Sequence, residues 1–136
     1  MENKTKTIAI LTFHCANSYG AVLQTYALCT YLRKKSYKVR IINLRPPAIT
    51  GVSVFRPGSL VSAIFFNYFE RKHFKFFPCI YRKVHELNKK PPIADCYIVG
   101  SDQVWNPEIT KEYQLHYFFD FVPEGKRLIS YAASFG

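Results

Sequence analysis

Residues 6–13 (KTIAILTF) are a short run rich in β-branched and apolar residues, the pattern of a buried parallel strand. A polar turn, residues 14–19 (HCANSY), follows, and from Gly20 the period changes. In residues 21–35 (AVLQTYALCTYLRKK) Ala21, Thr25, Leu28 and Leu32 recur at helical spacing, and Leu23, Ala27 and Tyr31 widen the stripe. Asn17 or Ser18 stands where a helix cap belongs, and Arg33, Lys34 and Lys35 complement the dipole at the other end. Residues 37–44 (YKVRIINL) return to a strand pattern. Strand, tight turn, amphipathic helix and strand make a βαβ unit, which predicts a doubly wound α/β domain with a mostly parallel sheet.

Arg45, Pro46 and Pro47 end that unit, and residues 51–58, bounded by glycines, continue it as a long loop. Residues 60–73 (LVSAIFFNYFERKH) have a helical pattern. Residues 74–90 continue basic and aromatic, with a short helix around His85, Glu86 and Leu87. Residues 94–99 (ADCYIV) read as a third strand ending in Gly100, Ser101 and Asp102. A turn-rich stretch, 104–110, leads to the apolar run 117–122 (YFFDFV), a turn at Pro123, Glu124 and Gly125, and a last strand at 127–134 (RLISYAAS). The sequence stops at Gly136, where a βα fold normally continues into a helix, so the domain reads as unfinished.

Composition narrows this picture little, but charge changes it. The 136 residues are 49% hydrophobic and 17% aromatic, a globular composition sized for one domain. No apolar run reaches the roughly 20 residues that span a bilayer. The N-terminus lacks a signal-peptide layout, which points to the cytoplasm. Four cysteines at 15, 29, 79 and 96 form no Cys-x-x-Cys pair, so no metal site is expected and they read as reduced thiols. The net charge is +10, and fourteen of the nineteen basic residues lie between Arg33 and Lys90, against only Glu70 and Glu86. Such a basic middle suits an anionic partner: a phosphate ester, an anionic glycan or a membrane face. Eight aromatic residues between Phe65 and Tyr81, interleaved with Arg71, Lys72, His73 and Lys75, fit a packed edge whose lysine stems cover rings, or contact with an anionic membrane. No nucleic-acid-binding signature accompanies them, so nucleic acid is not expected as a partner.

In open α/β sheets ligands gather beyond the carboxyl ends of strands, and two such ends carry candidate chemistry. The first is the turn of His14, Cys15, Asn17, Tyr19, Gly20 and Ala21. There a helix N-terminus suits an anion, Gly20 allows close approach, and Asn17 and Tyr19 offer hydrogen bonds. It is neither a G-x-G-x-x-G nor a P-loop; an Asn cap with a turn glycine explains the same residues. His14 is a candidate acid–base or anion-binding group, or a structural histidine at a strand end. The second is the run Gly100, Ser101, Asp102, Gln103, Val104, Trp105 and Asn106. Asp102 can orient a hydroxyl or act as a base, and Trp105 can stack on a sugar face; an Asx turn with a buried Trp fits equally.

ILTFHCANSYGAVLQTYAL at 10–28, KKPPIADCYIVGSDQVWNP at 89–107 and YFFDFVPEGKRLISYAASFG at 117–136 together resemble the polysaccharide pyruvyl transferase family, with GSDQVWNP and SYAASFG the most specific blocks. The resemblance implies a Rossmann-like lobe of the kind found in B-type glycosyltransferases, with the active site between two lobes. It also implies transfer of the pyruvyl group of phosphoenolpyruvate to sugar hydroxyls of a surface polysaccharide, forming a ketal and releasing phosphate. No cofactor beyond the phosphoenolpyruvate donor is implied. Asn17, Tyr19, Gly20 and Ala21 match the first motif of the family, and Gly100, Ser101, Asp102, Gln103, Trp105 and Asn106 fall in the second. His14 and Asp102 are the catalytic candidates and the others substrate-binding ones. Because family members are longer, the chain is expected to be an N-terminal lobe only, to need a second lobe or partner chain, and to be inactive alone. A cytoplasmic location, peripheral at the inner face of the membrane, goes with this reading. A glycosyltransferase-like enzyme with another donor, or a non-catalytic module that binds an anionic glycan or membrane, are the alternatives.

Overall fold

The computed structural model describes residues 5–16, 18–50 and 59–136. Five strands form one sheet: β1 (Thr7–Leu11), β2 (Lys38–Leu44), β3 (Phe76–Tyr81), β4 (Cys96–Val99) and β5 (Arg127–Ser130). Their order is β3-β2-β1-β4-β5, and every pair is parallel. The chain therefore winds outward from β1 through β2 to β3, then crosses back to β4 and β5. The winding reverses between β1 and β4, the place where such sheets hold ligands.

Helices cover both faces, as a parallel sheet requires. On one face Ile8 and Ile10 of β1, Val39 and Ile41 of β2 and Ile98 of β4 pack against α1 (Tyr19–Lys34) and α3 (Ser59–His73) through Val22, Cys29 and Phe66. On the other, Ala9, Leu11, Ile42, Leu44, Tyr97 and Val99 meet Leu87, Tyr113, Tyr117, Phe119 and Phe121. These come from α4 (Val84–Lys89), the 3₁₀-helix Lys111–Phe118 and the segment after it; the short helices α2 (Pro47–Thr50) and α5 (Pro107–Thr110) lie at the loops. Successive residues of β1 thus point to opposite cores, which is why its sequence carries no polar face.

Three departures from the sequence pattern have physical causes. The buried stripe of α1 is Ala21, Val22, Thr25 and Cys29, while Leu23 and Tyr31 are exposed. Helical spacing identifies a face but not which of two adjacent faces meets the sheet. Strand β3 lies in a stretch read only as basic and aromatic. Its Pro78 lacks a ladder donor, which an edge strand tolerates, and the β2–β3 register shifts between Ile41 and Asn43. Residues 111–116, to which the sequence pattern assigns no element, wind into the 3₁₀-helix Lys111–Phe118, which also takes the start of the apolar run 117–122. The expected loop at 51–58 lies outside the described residues. Among the described residues no helix is long and apolar enough to cross a membrane.

The aromatic and basic segment is largely packed: Phe66, Phe74, Phe77 and Tyr81 are buried. Cys15 and Cys29 are buried as well, and burial pushes the Cys15 thiol up to about 12, where it is protonated and inert as a nucleophile.

Candidate functional site at the reversal between β1 and β4

The ends of β1 and β4 are joined by a chain of hydrogen bonds through α1. Thr12 Oγ1 donates to the Ser101 carbonyl (2.8 Å), Gln24 Nε2 donates to Thr12 Oγ1 (3.0 Å), and Ser101 Oγ donates to Gln24 Oε1 (3.0 Å). The Gly100 amide closes the link by donating to the Leu11 carbonyl (3.1 Å). Thr12 and Gln24 lie within the 10–28 block that carries the family resemblance but are not among the site residues expected from the sequence. The available signal is a polar Gln24 one turn into α1, immediately downstream of the first motif.

The GSDQVWNP and SYAASFG blocks prove to be one structural unit. The Tyr131 amide donates to the Val99 carbonyl (2.9 Å), Asp102 bridges Ala133, the Ser134 amide donates to the Asp102 carbonyl (3.0 Å) and the Trp105 amide to the Ser134 carbonyl (3.0 Å). Gly100 makes this possible. It holds φ at +100°, and a Cβ there would stand 2.3 Å from the Tyr131 carbonyl oxygen. Asp102, with φ 121°, holds a backbone conformation that non-glycine residues rarely adopt. Its carboxylate is half-exposed and accepts from the Gln103 amide (2.7 Å).

Beside these loops a groove of ≈ 540 Å³ runs between α1 and strands β4 and β5. Its lining combines the polar Gln24 and Ser101 with the rings of Tyr31 and Tyr131 and the apolar Leu28 and Ile98. An apolar trough with a few convergent polar groups is the usual form of a small-molecule site.

The remaining predicted residues are distributed as follows. Ser101 and Asp102 lie at the reversal. Tyr19, in the first turn of α1, leans on α3, its ring centroid 5.0 Å from Phe66, and is largely exposed. Gly20 is exposed, and a Cβ there would come no nearer than 3.8 Å to Ser18 Oγ, so the fold builds no close approach at this glycine. Ala21 is buried on the inner face of α1. Asn17 lies outside the described residues, and Ser18 occupies the N-cap position without a side-chain cap bond. Trp105 is in the opposite layer from Tyr19. Its indole stacks on Phe118 (5.3 Å, 7° between planes), tilts against Phe135 (5.4 Å) and donates from Nε1 to the Tyr117 carbonyl (3.1 Å). One face of the ring is therefore already occupied. Asn106 caps α5 by accepting from the Glu108 amide (3.0 Å), and its Nδ2 donates to Gln103 Oε1 (3.1 Å).

His14 is fully enclosed rather than at the mouth. Its Nδ1 faces the Thr12 carbonyl (3.3 Å) and its Nε2 faces Asn43 Oδ1 (3.2 Å). Burial, reinforced by the nearby Arg45 guanidinium, lowers its pKa to about 4, so the ring is neutral at physiological pH. What it meets is Asn43, whose Oδ1 also accepts from Arg45 Nε (2.7 Å); Arg45 in turn pairs with Glu70 (2.5 Å).

The fold is a parallel α/β domain with the GSDQVWNP loop at the winding reversal. Residues 19–136 match the polysaccharide pyruvyl transferase family, and the chain belongs to that family. No curated protein and no solved structure matches it. The match corrects the expectation of a resemblance confined to an N-terminal lobe: it runs over essentially the whole chain.

Proposed function

We propose that the chain serves in pyruvyl transfer from phosphoenolpyruvate to a saccharide of a surface polysaccharide, with the acceptor sugar in the groove beside Ser101. In this reaction a sugar hydroxyl adds to C2 of the enol, C3 takes up a proton, and the C2–O bond to phosphate breaks. A second hydroxyl of the same sugar then closes the ketal on C2. Asp102 accepts the proton of the attacking hydroxyl, Ser101 and Gln24 orient the sugar, and Tyr131 supplies a ring for its apolar face. His14, sealed below the surface, acts as a positioning residue for Asn43 and Arg45. The observation that carries this reading is the hydrogen-bonded junction of Thr12 and Gln24 with Ser101 of the GSDQVWNP block at the reversal of the sheet.

No lysine or arginine lines that groove among the described residues. Phosphate departure needs positive charge, so the chain by itself is expected to bind saccharide without turnover. The test is amide NMR titration with methyl hexosides, and separately with a nucleotide sugar, alongside phosphate release from phosphoenolpyruvate. Shifts at Ser101, Asp102 and Gln24 with a hexoside, lost in Asp102→Ala, support the reading. Shifts there only with the nucleotide sugar favour a glycosyl donor instead, and phosphate release above background refutes the expected lack of turnover.

Peripheral contact with an anionic membrane is a second proposal with its own observation. On α3, Leu60, Val61, Ile64, Phe65 and Tyr68 are all largely exposed along one stripe, which ends in Arg71 and Lys72. Co-sedimentation with phosphatidylserine vesicles, lost in Ile64→Ser/Phe65→Ser, is the expected outcome; equal sedimentation of the variant refutes it.

A further inference from the structure

A second concave site lies two strands away from the groove, where β2 and β3 end. Arg45 immediately follows β2, Arg82 immediately follows β3, and these strands are neighbours in the sheet. Arg71, near the end of α3, reaches the same pocket of ≈ 330 Å³, together with Asn43, Asn67 and Glu70. Glu70 is the only acid in the lining, and Arg45 already pairs with it. Among the described residues neither Arg71 nor Arg82 has an ion-pair partner. The lining therefore carries three guanidiniums against one carboxylate.

Arg45 is a preorganised donor. Its Nε is fixed by Asn43, one terminal nitrogen by Glu70, and its guanidinium carbon lies 5.9 Å from the centroid of the Phe76 ring. A guanidinium carries five N–H donors, so the two engaged here leave others to face the pocket. Glu70 and Asn43 hold Arg45 in place, while Arg71 and Arg82 are exposed and without an ion-pair partner among the described residues. Planar forks of this kind match the oxygens of phosphate, and the excess of two positive charges matches a phosphate dianion.

We propose that this pocket binds a phosphate dianion, as the phosphate of a monoester or as part of a diphosphate. Arg71 and Arg82 contact it directly, with Arg45 as the fixed third donor. The proposal is independent of the transfer chemistry, because binding at this pocket is read without turnover. It also assigns a use to the basic middle of the sequence: the fold gathers three of those arginines from an inter-strand junction, a helix end and an edge strand.

The test is calorimetric titration with pyrophosphate and with phosphoenolpyruvate on the wild-type chain, Arg71→Gln, Arg82→Gln and Arg127→Gln. The last removes one exposed positive charge at the start of β5, away from the pocket. Saturable wild-type binding that weakens by about tenfold in each of Arg71→Gln and Arg82→Gln, and is unchanged in Arg127→Gln, supports the site. Tighter binding of pyrophosphate would then identify a diphosphate ligand, and tighter binding of phosphoenolpyruvate a monoester. Absence of saturable binding by the wild type, or equal weakening in Arg127→Gln, overturns the proposal, the latter because it signals general attraction to a basic surface. Both pocket variants alter exposed side chains without ion-pair partners, so unchanged thermal melts are expected and exclude misfolding as the cause of a loss.

Discussion

Lowering the pH from 7.5 to 5.0 probes the buried His14 directly. The ring is surrounded by the Thr12 carbonyl, Asn43 Oδ1, the Phe76 ring and, one residue further, the Arg45 guanidinium paired with Glu70. Burial first and Arg45 second lower its pKa to about 4 in the folded chain, against 6.5 as the ordinary value. Between those values the unfolded chain binds a proton that the folded chain does not, so stability rises with pH across this window. The contribution is fully present above pH 6.5, falls as pH drops through it, and stops falling near pH 4. At pH 5.0 the unfolded state gains about one and a half pKa units of protonation free energy, on the order of 2 kcal/mol. Urea denaturation at both pH values, on the wild type and on His14→Gln, separates this contribution from that of the other titrating groups. The variant should lose about 2 kcal/mol less than the wild type on acidification. Parallel losses in the two proteins would refute the reasoning. So would a His14 ring proton titrating near 6.5 by NMR in the folded wild type, a measurement that does not require the variant to fold.

Three further predictions rest on single contacts. Gly100→Ala forces a side chain into φ +100° and onto the Tyr131 carbonyl and should cost about 3 kcal/mol, whereas Gly125→Ala, at φ +81° with nothing within 4 Å, should cost about 1 kcal/mol; equal urea midpoints would deny the backbone contact. Tyr97→Phe removes a buried hydroxyl that donates to the Pro92 carbonyl (2.7 Å) and accepts from the Ala94 amide (3.1 Å), so a loss of about 2 kcal/mol with unchanged denaturant slope is expected. Native-state alkylation followed by mass spectrometry should label Cys79 and Cys96, which are half-buried, well before Cys15, whose thiol is buried and protonated; comparable rates would contradict that placement.

Much of the fold is legible along the chain because each element declares itself locally. The apolar run of β1, the helical period of α1 and the strand pattern of β2 place a βαβ unit within a residue or two of its observed bounds. The candidate loops are legible for the same reason, since whatever follows a buried parallel strand emerges at the sheet edge. What local pattern cannot express is depth. His14 leaves β1 at the position where a catalytic histidine belongs, yet it turns under β2 and is sealed. Trp105 follows Asp102 as a sugar platform would, yet Phe118 takes one of its faces. Edge strand β3 escapes notice because Pro78 interrupts the run FFPCIY and Lys75 and Arg82 flank it, and an edge position makes a proline tolerable.

The amino-acid order alone determined the parallel α/β class, the two motif-bearing loops and the family. These follow from periodicity and from residues close together in the chain, where sterics and side-chain burial act over a few positions. The packed structure decided which groups share a site: Thr12, Gln24 and Ser101 at the reversal, and Arg45, Arg71 and Arg82 where β2 and β3 end. Those partners are far apart along the chain, and only the strand order and the seating of α1 and α3 bring them together.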